Sequence, residues 1–155
     1  NTLEGSLHPG KLFTKLIEKC RELKIEFLFG TEVLYVEENE EEIIIQVSNN
    51  IAIKAEQVIF CTNAFSNSLI ENLEIIPVRG QILVTEPIEN LKLKGTFHFD
   101  EGYIYFRNLG NRILLCGART LDFINENSLD FSTSVFLQNY LVEFLKEVIL
   151  PHLEF

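Results

Sequence analysis

The residues best suited to chemistry lie in the segment Tyr103-Ile104-Tyr105-Phe106-Arg107. A β-strand alternates its side chains, so Tyr103, Tyr105 and Arg107 are predicted to share one face. Two phenols and a guanidinium on one surface could bind a carboxylate through charge-assisted hydrogen bonds. Aromatic residues are also good strand formers, and Arg107 could simply end a hairpin, so a purely structural interpretation stays open.

A second candidate segment, Val78 to Ile82, is an extended run with Gly80 inside it. Glycine within a strand often marks the close approach of another backbone or of a planar ligand, and a β-bulge is the alternative. Alternation places Arg79 and Gln81 on the face opposite to Gly80.

A third candidate follows the apolar run Gln57 to Thr62, which is typical of a strand buried on both faces. Asn63 to Ser66 come next and lead into a short helical stretch, Asn67 to Asn72. Free backbone N–H groups at such a strand end suit a phosphate. A plain N-cap by Asn63 or Ser66 explains the same pattern.

The sequence gives little support for an acid–base histidine, a serine nucleophile or a metal site. His8 and His98 have no evident carboxylate partner nearby in sequence, so both are predicted to be structural. Ser66 and Ser68 lack the G-x-S-x-G context of a serine hydrolase. The three histidines are not at ligand spacing, so no metal site is predicted, and no catalytic side chain is assigned.

Cys20, Cys61 and Cys116 are far apart and lie among apolar neighbours, which argues against a disulfide framework and favours a reducing, cytoplasmic location. No apolar stretch is long enough for a transmembrane segment. The formal net charge of -10 makes nucleic acid an improbable partner.

Hydrophobic periodicity outlines the elements that must position these residues. One amphipathic helix is predicted after His8, and a second from about Ser134 to Leu150, stopped by Pro151. A β-meander is predicted between them, followed by a group of antiparallel strands. The predicted strands are Ile25–Phe29, Thr31–Val36, Ile43–Val47, Ile51–Lys54, Val78–Thr85, Thr96–Phe99, Tyr103–Asn108 and Arg112–Ala118.

This order of elements predicts an α+β fold with two lobes, residues 1–75 and 76–155. The strand Gln57 to Thr62 needs parallel neighbours that the sequence does not supply, so neither lobe is expected to be complete. The uncovered apolar surface predicts self-association.

Several blocks, taken in order, resemble the FAD-dependent D-amino acid oxidase and glycine oxidase superfamily. They span nearly the whole chain and are Leu7–Leu12, Gly30–Val33, Val58–Ser66, Pro77–Gln81, Gly102–Arg107 and Leu114–Arg119. The resemblance implies FAD extended between an α/β lobe in residues 1–75 and an antiparallel substrate lobe in residues 76–155.

Position by position, the resemblance implies that Val33 contacts the adenine end of FAD through its backbone. It implies that the phosphates lie near Thr62, Asn63 and Ala64. In the second lobe it places Gly80, with Arg79 and Gln81, near the isoalloxazine ring. Tyr103 matches a substrate-contacting tyrosine, and Gln81, Tyr105 and Arg107 join it as predicted substrate-binding residues. The family's carboxylate-binding arginine belongs to a later strand, beyond Phe155.

The chain also departs from the family pattern. It contains no G-x-G-x-x-G, Cys116 replaces a usual glycine, and Phe65 stands where tryptophan is common. We therefore expect a piece of a longer protein that binds FAD weakly or not at all by itself and is inactive alone.

The predicted function is oxidation of a small amine or amino acid by hydride transfer to FAD in the complete enzyme. Alternatives are a flavin dehydrogenase acting on a polyol phosphate or an N-methyl amine, and a non-catalytic β-rich binding module.

Overall fold

Two antiparallel sheets and two α-helices form the framework of the protein in a computed structural model that describes residues 5–152. The chain divides into two compact units between Ile75 and Ile76. Helices and antiparallel sheets together confirm the predicted α+β class. No helix within the described residues is long and apolar enough to cross a membrane.

In the first unit, the apolar stripe after His8 forms helix α1, Pro9–Glu22. His8 caps the helix because its Nδ1 accepts a hydrogen bond from the Lys11 backbone N–H at 3.3 Å. This contact supports the predicted structural role of His8. The apolar face of α1 is largely uncovered within the unit, and Phe13 is 61% exposed.

The meander follows as β1 (Val33–Glu38), β2 (Ile43–Val47) and β3 (Ile51–Ala55), paired in the order β1-β2-β3. β1 runs two residues further than predicted and includes part of the acidic run. The turn lies at residues 39–42, where the Asn39 Oδ1 accepts the backbone N–H groups of Glu41 and Glu42.

Two predicted strands of this unit are absent from the described structure. Ile25–Phe29 and Gln57–Thr62 pair with no other strand and have no regular strand structure. The second was expected to be buried on both faces, but Ile59 is 87% exposed. An apolar pattern favours a strand, but the strand forms only where a partner satisfies its backbone groups.

In the second unit, the four predicted strands form one sheet in the order β4-β7-β6-β5. Their bounds are β4 Gln81–Val84, β5 Thr96–Phe99, β6 Ile104–Leu109 and β7 Arg112–Gly117. β4 is shorter than predicted, and Val78 to Gly80 lie outside it in non-regular structure.

Helix α2, Val135–Phe144, packs on this sheet and continues as a π-helical turn, Leu145–Ile149, before Pro151. Ser134 caps α2 by accepting the Leu137 N–H. The helix and one face of the sheet together form the core of the unit. The buried core residues are Ile104, Ile113, Leu115, Ala118, Leu137, Leu141, Phe144 and Leu145.

Candidate functional site

A depression of about 360 Å³ lies in the second unit, where β6 begins and β7 ends. It contains four of the residues predicted to lie near the ring or the substrate, namely Arg79, Gly80, Tyr103 and Tyr105. Its full lining is Val78, Arg79, Gly80, Gly102, Tyr103, Tyr105, Gly117 and Arg119. We call it the tyrosine pocket.

The alternation predicted for residues 103–107 explains how the two phenols reach the pocket, although β6 begins one residue later than predicted, at Ile104. Ile104 is 2% exposed and belongs to the core, whereas Tyr103 and Tyr105 are 41% and 43% exposed. Phe106 packs against the core together with Ile104. Tyr103 and Tyr105 therefore lie on the face away from α2.

Gly117 allows the ends of β6 and β7 to come close together beside the pocket. Its φ is +120°, and a Cβ built on it would overlap the carbonyl oxygen of Tyr103. The next residue, Ala118, donates its N–H to that same oxygen at 3.0 Å. Gly117 thus fixes the backbone position of Tyr103.

Cys116 lies directly across from Tyr105 on β7 and is 3% exposed. Burial raises the pKa of the Cys116 thiol, while a hydrogen bond with Tyr105 and the charge of Arg107 oppose the rise. Burial also raises the pKa of Tyr105, and the neighbouring Cys116 adds to it. Both groups are therefore neutral at physiological pH, and Tyr105 can act as a hydrogen-bond donor.

Arg107 is not among the residues that line the pocket, although its charge acts on the nearby Cys116. His98 pairs with Tyr105 from β5, with ring centroids 6.4 Å apart in an edge contact. Arg107 and His98 therefore flank the tyrosine pocket.

The side chains of Arg79 and Gln81 lie on the same side of the chain, as the alternation of side chains along an extended segment predicts. Both side chains bind the carboxylate of Glu126. Arg79 Nε lies 3.0 Å from Oε1, and Gln81 Nε2 lies 2.9 Å from Oε2. The Glu126 side chain is 0% exposed. The raised pKa of Arg79, caused chiefly by this hydrogen bond, keeps it charged.

Gln81 is 3% exposed, and its Oε1 also accepts hydrogen bonds from the Ser134 N–H and Gln138 Nε2. Gln81 is therefore a buried residue that stabilises the structure around the pocket, and it does not line the pocket itself. The role predicted for it in substrate binding stays a prediction.

Three residues of this region were missed by sequence reasoning. Arg119 lies over the ring of Phe123, with its Cζ 5.3 Å from the ring centroid, and Phe123 in turn contacts Tyr103 edge-to-face. Glu126 is 47 residues from Arg79 in the sequence. The only local signal was that Arg119 ends the last block that resembles the family, since no spacing rule links Phe123 or Glu126 to the pocket.

The residues predicted for the adenine and phosphate contacts lie in the first unit. Val33 begins β1, an edge strand, and is 37% exposed. Thr62 precedes a 3-10 helix, Asn63–Ser68, and its hydroxyl lies 2.9 Å from that of Ser66. Asn63 has a φ of +47° and, with Ala64, occupies the first positions of that helix. The backbone N–H groups of a first helical turn have no acceptor within the helix.

The fold of the second unit, with an open sheet face that carries glycines, phenols and arginines, is suited to holding a planar ring and a small polar molecule. A family model described as FAD dependent oxidoreductase matches residues 1–154. The chain belongs to this FAD-dependent family. No curated protein and no solved structure matches the chain.

Each unit has one feature that is compatible with part of FAD. In the second unit a Cβ on Gly80 would meet nothing within 4 Å, so a flat ring could approach the backbone there. In the first unit, the turn that starts at Thr62 offers backbone N–H groups to a phosphate. The sequence has no G-x-G-x-x-G to supply further phosphate contacts.

Proposed function

We propose that this flavin-dependent oxidoreductase oxidises a small amine or amino acid, and that the tyrosine pocket binds the substrate. One observation carries the proposal: Gly80, which is distant in sequence from Tyr103 and Tyr105, lines the same depression as these two tyrosines. The chemistry that bound FAD would supply is a hydride acceptor for the carbon that bears the amine. The protein then has to bind the substrate, orient it and exclude water.

The protein's own residues support these tasks. Tyr105 is a neutral phenol whose ring is held by the sheet, so it can donate a hydrogen bond from a fixed position. Tyr103 is held by its backbone contact with Ala118 and by the ring of Phe123. Two pre-oriented donors reduce the entropy lost when a small substrate binds.

In the first unit, we propose that Val33, Thr62, Asn63 and Ala64 contribute to cofactor binding. The exposed edge position of Val33 and the N–H groups at the start of the 3-10 helix support this assignment. Residues 1–75 would then serve the cofactor and residues 76–155 the substrate. Weak FAD binding by the 155-residue chain itself remains a prediction, since the chain has no glycine-rich phosphate turn.

A cytoplasmic location is part of the proposal. All three cysteines, Cys20, Cys61 and Cys116, are free thiols in the structure. Free thiols are typical of a reducing compartment, so they support this location.

The test is flavin bleaching in the FAD-loaded complete enzyme, since the 155-residue chain is expected to be inactive by itself, with a panel of small amino acids, amines, N-methyl amines and polyol phosphates. Bleaching by amino acids or primary amines alone supports the proposal. Bleaching only by a polyol phosphate or an N-methyl amine would assign a different substrate class. If no compound of the panel bleaches the flavin, the proposed oxidation is wrong.

Tyr103→Phe tests the pocket within the same assay. The change deletes one hydroxyl and keeps the ring contact with Phe123. A hydrogen bond to a charged group contributes about 1.5 to 3 kcal/mol, so we expect roughly a ten- to hundred-fold loss in the efficiency of flavin reduction. Tyr35→Phe in β1, outside the tyrosine pocket, is the matched control and should be silent. Equal rates for wild type and Tyr103→Phe would remove Tyr103 from the site.

A further inference from the structure

The sheet of the second unit has two outer strands, β4 and β5, and they differ in what contacts them. At β4, the backbone oxygen of Ile82 accepts a hydrogen bond from Gln138 Nε2 at 3.2 Å. Gln81, the first residue of β4, is buried and binds the carboxylate of Glu126. The outer strand β4 is therefore bound by α2 and by the loop that follows β7.

The edge of β5 is open. Thr96–Phe99 pair with β6 on one side, and within residues 5–152 no other strand pairs with them. All four residues are exposed, and the backbone hydrogen bonds formed outside the strand pairs of these described residues involve none of them. An outer antiparallel strand points alternate N–H and C=O groups away from its sheet, so β5 presents backbone groups that another strand could bind.

The sequence of β5 lacks the features that usually prevent an outer strand from pairing with another chain. Thr96–Phe99 contain no proline and no lysine, and the pairing with β6 has no β-bulge. Phe97 stacks on Phe106 of β6 but remains 39% exposed. Phe99 is 49% exposed although it contacts Phe144 of α2. A regular outer strand with exposed aromatic side chains is suited to the addition of a further strand.

The two ends of β5 carry opposite charges. Lys92 and Lys94 come before the strand, and Asp100 and Glu101 follow it. All four side chains are exposed, and none of them forms an ion pair in the part of the chain that the structure describes. If a second copy of the strand lies antiparallel alongside, the basic end of each copy lies beside the acidic end of the other. The edge is therefore complementary in charge to itself.

We propose that the edge of β5 is a dimerisation surface, on which β5 of a second copy of this chain pairs antiparallel. Two registers related by a twofold axis pair most of Thr96–Phe99. In one register Phe97 lies opposite Phe97 of the second copy, and in the other it lies opposite Phe99 of the second copy. Both registers bring aromatic side chains together. The pairing joins two four-stranded sheets into one continuous sheet, and it stops at two copies because it uses the edge of each.

Sedimentation and backbone amide hydrogen exchange, both measured from low to high protein concentration, test the proposal. We expect a monomer–dimer equilibrium in which amide exchange within residues 96–99 slows by roughly tenfold or more as the dimer forms, because outward N–H groups gain acceptors. A monomer at all concentrations, or a dimer with unchanged exchange in β5, would overturn the proposal. Slow exchange already at the lowest concentration would overturn it too, since the chain itself would then cover the edge.

Phe13→Ser separates this surface from the exposed apolar face of α1. The variant removes apolar surface from the first unit, so the concentration-dependent slowing in β5 should remain. If the slowing disappears in Phe13→Ser, the association belongs to α1 and the proposed surface is wrong.

A charge exchange tests the pairing of opposite ends. Lys94→Glu and Glu101→Lys each bring like charges together in the dimer, and each should weaken dimerisation by about three- to tenfold. The double variant restores opposite charges and should recover most of the wild-type affinity. A structural role within one copy would not produce this recovery.

Glu147→Lys is the matched control for Glu101→Lys. It makes the same change in net charge in the π-helical turn, away from β5, and should leave dimerisation unchanged. Equal weakening by Glu147→Lys would reduce the effect to net charge alone. That result, or a double variant that stays as weak as the single ones, would count against the pairing of β5 with itself.

Discussion

At the scale of single residues, Gly117 and Gly80 line the same pocket under opposite constraints. A Cβ on Gly117 would overlap the Tyr103 carbonyl oxygen, and its φ of +120° disfavours any L side chain. A Cβ on Gly80 meets nothing within 4 Å. The backbone geometry therefore requires glycine at position 117, whereas only a bound ligand would require it at position 80.

We expect Gly117→Ala to lower the free energy of unfolding by about 2 to 4 kcal/mol, because the ends of β6 and β7 must separate. Gly80→Ala should change stability by less than about 1 kcal/mol but should slow flavin reduction in the FAD-loaded protein. Urea unfolding and flavin bleaching measure the two effects. Equal stability losses in the two variants would contradict the close approach seen at Gly117.

Cys116 gives the stability of the protein a dependence on alkaline pH. Burial raises the pKa of its thiol above the ordinary value of 9.0. A group whose pKa is higher in the folded state contributes stability that is complete below its unfolded pKa and is lost as pH rises through its folded pKa. The raised pKa of Tyr105 acts in the same direction, starting from its ordinary value of 10.0.

We therefore expect the free energy of unfolding to fall as the pH is raised above about 9, and to fall less steeply in Cys116→Ala. Urea unfolding across this range is the measurement. Cys61→Ala is the control because Cys61 is exposed. If the free energy of unfolding falls equally steeply with pH in wild type and in Cys116→Ala, ionisation of the Cys116 thiol does not contribute to the loss of stability.

At the scale of elements, Glu126 joins the segment before β4 to the loop that follows β7. It accepts hydrogen bonds from Arg79 and Gln81 through its side chain, and its backbone oxygen accepts the Arg79 N–H at 2.9 Å. Gln81 extends the network to Gln138 on α2. One buried carboxylate thus determines how a strand, a loop and a helix meet behind the pocket.

Glu126→Ala removes the acceptor of the buried Gln81 amide as well as the partner of Arg79, and a buried donor left unsatisfied costs about 1 to 3 kcal/mol. Glu86→Ala is the matched control, because Glu86 pairs with Arg112 at 3.3 Å while its own side chain is 91% exposed. An exposed pair contributes only about 0 to 1 kcal/mol. Thermal or urea unfolding compares the two variants, and a similar small loss in both would mean that the Glu126 network is not a structural link.

At the scale of the whole molecule, apolar side chains remain uncovered in the first unit. Phe13 and Leu16 on α1 are 61% and 52% exposed, and Ile59 is 87% exposed. Phe13 and Leu16 are three residues apart and therefore lie on one face of α1, and an exposed apolar helix face of this kind favours association. We expect the protein to self-associate with rising concentration, as measured by sedimentation.

Phe13→Ser and Leu16→Ser should weaken that association, while Thr14→Ser on the same helix should not. A monomer at all concentrations, with no binding of a dye that reports apolar surface, would contradict the expectation.

The sequence by itself determined the features that depend on neighbouring residues. The alternation of side chains along a strand correctly predicted that Tyr103 and Tyr105 lie on the face opposite to the buried Ile104. Helical periodicity correctly located α1 and the start of α2. These features follow from local backbone geometry, which side-chain order reveals directly. The ordered blocks also carried the family resemblance that the family match confirmed.

Only the tertiary structure decided which residues form the pocket and which support it. Gln81 is buried by contacts with Glu126, 45 residues away, so no local pattern could separate it from Gly80, its neighbour in the lining. The run Gln57 to Thr62 has the composition of a buried strand but forms none among the described residues. An apolar composition favours burial, but a strand forms only when another strand pairs with its backbone. Whether such a partner lies alongside depends on the tertiary structure.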